Sequence, residues 1–382
     1  MKTIPYGRHF IDSNDIRSVT KALKQEKITS GKEVLKFEKR LTNFFGSKFV
    51  TVCNSGTSAL FLAFSSINLK KKDIIIMPSI NFVASYNVAK LFGASVFLAD
   101  VNKYTGQMSP NDIIKCCQKN NIKKIKAILT MYNGGYPQNA EKFFYLKKKF
   151  NCYIIEDACH ALGAKYKYKK NFLKIGCCKH SDISTFSLHP LKSITTGEGG
   201  IVTTNSKFLD NKIKKIRSLG INRKKNTHWD YDVLYNGLNL RLNDFQCALG
   251  LSQLKKLNSF LKSRKVIADR YTKELKYNDN IFTPNYSSNY KSSYHLYIIN
   301  FKIKNLAIKE KLIKFMLQKK IILQYHYIPV YKFKVFNDKY EGKNAEYYYK
   351  TSVSLPIYHG LKFHEQSRVI KLLKTFSKNY LS

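Results

Sequence analysis

The strongest constraint on the fold is the regular alternation of short, β-branched apolar runs with longer stretches that have a helical pattern. The intervening segments, for example residues 58–66 and 140–149, are long enough to form helices. Strands that alternate with helices favour a mostly parallel sheet that is covered on both faces. Seven runs are typical of such buried strands, at residues 48–52, 74–77, 95–98, 127–131, 152–156, 183–187 and 200–204.

The pattern changes after about residue 251. A lysine-rich amphipathic segment at 254–275 predicts a long helix, and a strand at 294–301 and a helix at 306–319 follow it. The chain is therefore predicted to have an α/β fold with two domains. We expect a large domain over residues 1–251 and a smaller C-terminal α+β domain over residues 252–382.

The charge of the chain raises a first hypothesis about its partners. Its 382 residues include 67 lysines and arginines against 25 acidic residues, which gives a formal net charge of +42. Such an excess is typical of proteins that bind nucleic acid or anionic membranes. However, nearly all of the basic residues are lysines, spread along the whole chain, whereas phosphate and base readers are enriched in arginine. We therefore expect neither partner, and nucleic-acid binding stays a remote alternative.

Other classes of protein are disfavoured by what the sequence lacks. No apolar stretch is long enough for a transmembrane helix, and the first residues lack the apolar core of a signal peptide. Eight cysteines include the pairs Cys116–Cys117 and Cys177–Cys178 but no CxxC, so neither a zinc site nor a disulfide framework is expected. We expect a cytoplasmic protein with inert thiols and no bound metal.

Polar residues follow several predicted strands, at the edge where open α/β sheets bind ligands. In NSGTSAL, at 54–60, a helix start carries Thr57 and Ser58, whose hydroxyls either cradle a phosphate group or cap the helix. In IIEDACH, at 154–160, Glu156 and Asp157 end a buried strand. Asp157 is either a structural cap or the charge partner of a protonated ring nitrogen.

Two further segments complete the pattern. Lys192 lies in TFSLHPLKSITTGEGG, at 185–200, between a strand and a glycine-rich turn, and a lysine in such a site can form a Schiff base with a carbonyl cofactor. Phe82, in NFVAS at 81–85, either stacks on a planar ligand or belongs to the core. A phosphate cradle, an acid, a lysine and a planar stack are together what pyridoxal phosphate requires.

The order of NSGTSAL, EDACHALGAKY and TFSLHPLKSITTGEGG resembles the DegT/DnrJ/EryC1/StrS sugar aminotransferase family, whose members are fold-type-I pyridoxal phosphate enzymes. The resemblance covers nearly the whole chain, from the IPY segment at 4–6 through GLNLRLNDFQ at 237–246 to SLPIY at 354–358. It implies a large domain with a mostly parallel seven-stranded sheet between helices, a smaller C-terminal α+β domain, and pyridoxal 5'-phosphate as the cofactor.

The resemblance also implies roles for single residues. Lys192 matches the lysine that binds the cofactor and then moves a proton, Asp157 the acid on the pyridine nitrogen, and His160 a position beside the cofactor ring. These three are the predicted catalytic residues. Further predicted cofactor contacts come from Thr57, Ser58, Phe82, Ser187 and Asn239.

Two consequences concern assembly and variation. Asn239 matches an asparagine that reaches the phosphate group in the neighbouring subunit, so the resemblance implies a homodimer with shared active sites. Some family members have histidine in place of Lys192 and act as dehydratases, and Lys192 argues against that branch. The chain departs from the common pattern at Cys159 and Leu188, where we expect no effect on catalytic groups.

The family transfers an amino group, usually from L-glutamate, to a keto group of a nucleotide-linked sugar. Segments 246–257, 293–297 and 324–331 look like the branch of pseudaminic acid biosynthesis, which acts on C4 of a UDP-4-keto-6-deoxy-N-acetylhexosamine to give UDP-4-amino-4,6-dideoxy-N-acetyl-β-L-altrosamine. The loop at 326–331 is then expected near the sugar nucleotide. A perosamine-type or 4-amino-arabinose-type aminotransferase stays an alternative, because small changes in a pocket can switch its sugar.

Overall fold

The computed structural model describes residues 2–223, 227, 229–302, 305–336, 340 and 342–381. Short 3-10 turns occur at Asn133–Gly135 and Val330–Lys332. In the described residues the helices are α1 Ser13–Leu23, α2 Lys32–Phe45, α3 Gly56–Ser66, α4 Val83–Leu91, α5 Pro110–Lys119, α6 Phe144–Phe150, α7 Lys207–Arg217, α8 Asp244–Leu275, α9 Leu306–Gln318, α10 Lys343–Thr351 and α11 Phe363–Tyr380.

The strands belong to one large sheet and several small ones. They are β1 Phe49–Cys53, β2 Ile74–Pro78, β3 Ser95–Ala99, β4 Ala127–Met131, β5 Tyr153–Asp157, β6 Lys165–Tyr168, β7 Asn171–Lys174, β8 Ile183–Ser187, β9 Gly200–Thr204, β10 Ile221–Arg223, β11 Tyr231–Val233, β12 Ile281–Phe282, β13 Tyr290–Lys291, β14 Tyr297–Phe301 and β15 Ser352–Leu355.

The large sheet has seven strands in the order β1-β9-β8-β5-β4-β2-β3. Strand β9 is antiparallel to both of its neighbours, and the other adjacent pairs are parallel. All seven predicted strands are present in this sheet, with ends that differ by at most one residue. The predicted mostly parallel α/β fold is therefore confirmed.

Apolar side chains from both faces of the sheet are buried, which explains why its strands are continuous apolar runs. Ile75 and Met77 of β2 belong to a core that includes α3, α4 and α7. Ile76, between them, belongs to the core on the opposite face, with α5 and α6. This two-sided cover leaves the ends of the strands as the place where polar side chains can meet.

The C-terminal region has its own core, built on the antiparallel sheet β12-β14-β15. The long helix α8 contributes to two cores, because Leu257 and Phe260 pack with the large sheet, whereas Ile267 and Tyr271 pack with the C-terminal sheet. The predicted boundary between residues 251 and 252 falls inside this continuous helix. The division into two domains at that position stays a prediction.

Three predicted elements start three or more residues away from the observed start. Helix α8 begins ten residues before the predicted start, because Asn243 caps it with a reciprocal hydrogen bond to Gln246. Helix α6 begins at Phe144, after a turn in which the Lys142 N–H donates to Asn139. Strand β14 begins at Tyr297, since the N–H groups of Ser293 and Leu296 donate to the turn at Asn133–Gly135 instead.

Among the described residues, no helix is both long and apolar enough to cross a membrane. All eight cysteines are free, and six of them are buried. Burial raises the pKa of Cys53 and Cys178 to about 12, so these thiols stay protonated and unreactive at neutral pH.

Candidate active site

A cavity of about 520 Å³ lies at the edge of the sheet where β1, β5 and β8 end. Its wall also includes the start of α4 and the C-terminal segment 324–328. Six of the eight predicted site residues line it together, although up to 135 positions separate them in the chain. They are Thr57, Phe82, Asp157, His160, Ser187 and Lys192.

One end of the cavity is formed by the start of α3. The Ser55 side chain caps this helix by accepting from the Ser58 N–H at 3.0 Å, which leaves Gly56 and Thr57 as its first residues. The first N–H groups of a helix have no partner within it and favour an anion. A Cβ atom at Gly56 would lie 2.8 Å from the Ser187 Cβ, so only glycine allows the two segments to approach this closely.

Ser58 has a different environment from Thr57 and does not line the cavity. Its hydroxyl donates to Asn54 Oδ1 at 2.6 Å and contacts the Ser55 hydroxyl at 2.9 Å. Ser55 also lines the cavity, although it was not among the predicted ligands. The signal in the sequence that could have identified Ser55 is its position directly before the helix start, with a serine three residues later. The phosphate contact of Ser58 stays a prediction.

Asp157 is the last residue of β5 and is almost completely buried. Its Oδ2 accepts from the Ser85 hydroxyl at 3.1 Å, and its Oδ1 accepts from the Cys159 N–H at 3.2 Å. A buried carboxylate is costly unless such donors surround it. Ser85 is 72 positions away on α4, so only the tertiary structure reveals this contact.

Lys192 lies in the turn between β8 and β9, and its side chain lines the cavity beside Asp157. The turn is held by the Thr195 hydroxyl, which donates to the Leu188 carbonyl at 2.9 Å and accepts from the Gly197 N–H at 2.9 Å. Enclosure away from water lowers the pKa of the Lys192 amine, although Cys159 and Asp157 act in the opposite direction. A lowered pKa increases the fraction of neutral, nucleophilic amine.

His160 joins the sheet edge to the C-terminal segment. Its Nε2 is 2.8 Å from the Tyr327 hydroxyl, and its ring centroid is 4.3 Å from that of His295. Burial, the nearby Lys192 amine and His326 lower the pKa of His160 well below the usual range. Burial likewise lowers the pKa of His326 to about 3, so these imidazoles are neutral at physiological pH.

Phe82 and Asn239 have contrasting positions. Phe82 precedes α4, and its half-exposed ring lies 5.7 Å from the ring of Tyr327 across the cavity.

Asn239 is exposed, does not line the cavity, and pairs through its backbone with Ser218. Its predicted contact with a neighbouring subunit therefore stays a prediction.

The donors around the cavity fit pyridoxal phosphate. Hydroxyl groups and a helix N-terminus at one end suit a phosphate group, while the buried Asp157 carboxylate suits a protonated ring nitrogen. Because Gly56 has no Cβ atom, it leaves space beside Ser187 that any other residue would fill. Lys192 adds an amine to the same space, and Phe82 adds an aromatic face.

Comparison with known proteins decides the class. The sequence model of the DegT/DnrJ/EryC1/StrS aminotransferase family matches residues 9–374. The chain belongs to this family. It is a pyridoxal phosphate-dependent aminotransferase, as its motifs and cavity indicate.

The relatives of this aminotransferase include well-covered sugar-nucleotide enzymes. The UDP-4-amino-4,6-dideoxy-N-acetyl-beta-L-altrosamine transaminase of Campylobacter jejuni (strain 81-176) is 38% identical over 99% of both chains. The GDP-perosamine synthase of Escherichia coli O157:H7 is 30% identical over 89% of each chain. A similar solved structure is that of Helicobacter pylori PseC, an aminotransferase involved in the biosynthesis of pseudoaminic acid. Its sequence is 31% identical to this chain, and the two structures superpose with a TM-score of 0.90. That match covers 99% of this chain and 100% of PseC.

Proposed function

We propose that this aminotransferase moves an amino group from L-glutamate to C4 of a UDP-linked 4-keto-6-deoxy-N-acetylhexosamine, giving UDP-4-amino-4,6-dideoxy-N-acetyl-β-L-altrosamine. The observation that carries the proposal is the 38% identity, over 99% of both chains, with a transaminase named for that sugar. A GDP-linked 4-keto sugar is the second candidate, because a perosamine synthase is 30% identical. Its lower identity and coverage make it the weaker choice.

Different residues of the cavity have different roles in amino transfer. Pyridoxal phosphate, when bound, supplies an electron sink for the carbon that gains or loses the amino group. We assign proton transfer at that carbon to the Lys192 amine, because burial lowers its pKa and so increases the fraction of neutral amine that can accept a proton. Asp157, fixed by two hydrogen bonds, holds the proton on the ring nitrogen. Thr57, Ser187 and the start of α3 bind the phosphate group.

Product analysis tests the proposed substrate. The purified holoenzyme is incubated with L-glutamate and a panel of UDP-, GDP- and dTDP-linked 4-keto sugars, and the products are separated and identified by mass and NMR. We expect the UDP-N-acetyl sugar to be aminated with the largest kcat/KM. Preferential amination of a GDP-linked sugar would replace the first proposal by the second.

A lysine substitution tests the proposed catalytic residue. Lys192→Ala is expected to lower turnover by about 10³-fold or more, because it removes the only group assigned to proton transfer. Borohydride reduction should fix the cofactor to a peptide that contains Lys192 in the native protein. The exposed Lys314→Ala variant is the control and should keep the native rate. Labelling of another lysine would reject the assignment.

We further propose a homodimer in which Asn239 completes the partner's site. Its exposure at a distance from its own cavity supports this arrangement. Lys192→Ala and Asn239→Ala proteins should each be poorly active, whereas random mixing should restore about a quarter of the native activity, because half of the dimers then have one intact site of two. No recovery after verified subunit exchange would contradict shared sites.

A cytoplasmic location is part of the proposal. Eight free cysteines, most of them buried, are typical of a reducing compartment, where disulfides rarely form. Cell fractionation with a tagged chain tests it, and recovery outside the cytoplasmic fraction would contradict it.

A further inference from the structure

The hydrogen bond between Tyr327 and His160 connects two parts of the cavity and has no role in the assignments above. His160 follows β5 of the large sheet, whereas Tyr327 belongs to the C-terminal segment, 167 positions away. The two rings are nearly parallel, at 28° with centroids 5.8 Å apart. Both side chains line the cavity that also contains Lys192.

The position of the ring proton of His160 follows from the hydrogen-bond partner of its Nδ1 atom. The Gly134 N–H donates to His160 Nδ1 at 3.4 Å, so Nδ1 is the acceptor and the ring proton of the neutral imidazole lies on Nε2. The Nε2–H group must then donate to the Tyr327 oxygen, 2.8 Å away. The hydroxyl proton of Tyr327 is consequently available to an acceptor inside the cavity.

The position of Tyr327 is fixed by its neighbour in the chain. The His326 carbonyl accepts from the Asn133 amide at 3.3 Å and from the Tyr348 hydroxyl at 2.8 Å, and Asn133 also donates to Tyr348 at 2.7 Å. The His326 ring is hydrogen-bonded to the Ser354 hydroxyl at 2.8 Å. A buried network of this kind restricts rotation of the segment, so the hydroxyl is held in place before any ligand binds.

We propose that Tyr327 is a hydrogen-bond donor to the reacting groups of amino transfer and that His160 is the positioning residue that orients its hydroxyl. The family resemblance implies a catalytic role for His160, but the two hydrogen bonds of its ring leave it no free proton to give to a substrate. A preorganised hydroxyl in an enclosed site stabilises charge that develops on an oxygen or nitrogen atom. The inference rests on the proposed use of this cavity for amino transfer.

A kinetic experiment with three variants tests the division of roles. The half-reaction of the holoenzyme with L-glutamate is followed in a single turnover by the visible absorbance of the cofactor. We expect Tyr327→Phe to slow it about 100-fold. His160→Gln should slow it less than about tenfold, because the glutamine amide can still donate to the tyrosine oxygen.

Tyr166→Phe is the matched control for this experiment. Tyr166, like Tyr327, is hydrogen-bonded to a histidine, at 2.7 Å from His180 Nδ1, but neither Tyr166 nor His180 lines the cavity. It should keep the native rate while losing the same hydroxyl group. A native rate for Tyr327→Phe, or an equal loss in Tyr327→Phe and His160→Gln, would overturn the proposal.

A second measurement does not depend on activity. Two-bond ¹H–¹⁵N spectra of the cofactor-free protein with ¹⁵N-labelled histidine show which ring nitrogen has the proton, and the His160→Gln spectrum assigns the signal. We expect a neutral His160 with the proton on Nε2 between pH 6 and 8. A proton on Nδ1 would overturn the inference, whereas absence of any reaction with glutamate would instead reject the proposed amino donor.

Discussion

Two carboxylates at the end of β5 have adjacent positions and different partners. Asp157 faces the cavity and accepts from Ser85 and Cys159, whereas Glu156 points to the other face and accepts from Tyr132 and Ser184. Burial raises the pKa of Glu156, against the effect of those hydrogen bonds. The alternation of side chains along a strand thus separates an acid that faces away from the cavity from one that faces it.

The amide substitutions of these residues should separate their roles. Asp157→Asn is expected to lower kcat by about 10²–10³-fold, because a neutral side chain does not stabilise a charged ring nitrogen. Glu156→Gln, which makes the same chemical change outside the cavity, should keep the native kcat. Steady-state kinetics at saturating cofactor measures both, and similar rates for the two variants would contradict the role of Asp157.

Helix α8 shows how packing between elements overrides local preference. Gly250 is an interior residue of the helix, where alanine would be favoured by about 1 kcal/mol. However, a Cβ atom there would lie 2.5 Å from the ring of Phe37 on α2 and 2.9 Å from Thr196, which belongs to the lysine turn. Glycine is therefore required by the contact between the two helices.

Gly250→Ala is expected to lower the free energy of unfolding by about 1–2 kcal/mol, since overpacking of a core contact outweighs the gain in helix propensity. Urea denaturation measures the change. Ser259→Ala, on the exposed side of the same helix, should change stability by less than about 0.5 kcal/mol. A Gly250→Ala protein that is more stable than the native protein would show that the contact accommodates the added methyl group without loss of stability.

Lys309 is a lysine of α9 whose side chain is enclosed by neighbouring elements. Its side chain is buried, its amine donates to the Tyr349 carbonyl, and it lies 4.0 Å from the ring centroid of Tyr325. Burial lowers the pKa of this amine to about 7. Because the unfolded chain binds a proton that the folded protein does not bind above that pH, this lysine makes stability rise with pH from about 7 toward the ordinary lysine pKa near 10.4.

The variant Lys309→Met removes this titration. The difference in the free energy of unfolding between Lys309→Met and the native protein should fall as pH rises from 7 to 10, by up to about 1.4 kcal/mol per pH unit. Leu317→Met, at an exposed position of the same helix that has no titratable group, is the control and should show a difference that does not depend on pH. A constant difference for Lys309→Met would mean that its amine titrates normally.

The net charge of +42 acts on the whole molecule. The chain belongs to an aminotransferase family, and its function does not require this charge. We therefore interpret the excess of lysines as a solvated surface whose charges repel one another. A modest attraction of anionic sugar nucleotides is compatible with it, because a positive surface raises the local concentration of negative ligands.

Salt should therefore stabilise the molecule. Between about 10 mM and 300 mM sodium chloride, the Tm is expected to rise, because the Debye length shortens from about 30 Å to less than 10 Å and screens repulsion among lysines. Sucrose of matched osmolality is the control for non-ionic effects of the added solute. A Tm that falls with salt would show that attractive ion pairs outweigh the repulsion.

The sequence alone determined the class of the fold and the chemistry. Seven apolar runs specify the strands of the sheet because burial on both faces requires continuous apolar side chains, and the motif around Lys192 indicates the cofactor because few residue types can supply its needs. Local signals were weaker at element ends, as the early start of α8 shows.

The groups that complete the site are brought together by tertiary contacts. Ser85 reaches Asp157 across 72 positions and Tyr327 reaches His160 across 167, and no local pattern encodes such distances. Hydrogen bonds of this kind depend on how helices and loops are placed on the sheet. The protonation and orientation of a histidine are therefore set by contacts that exist only after the chain has folded.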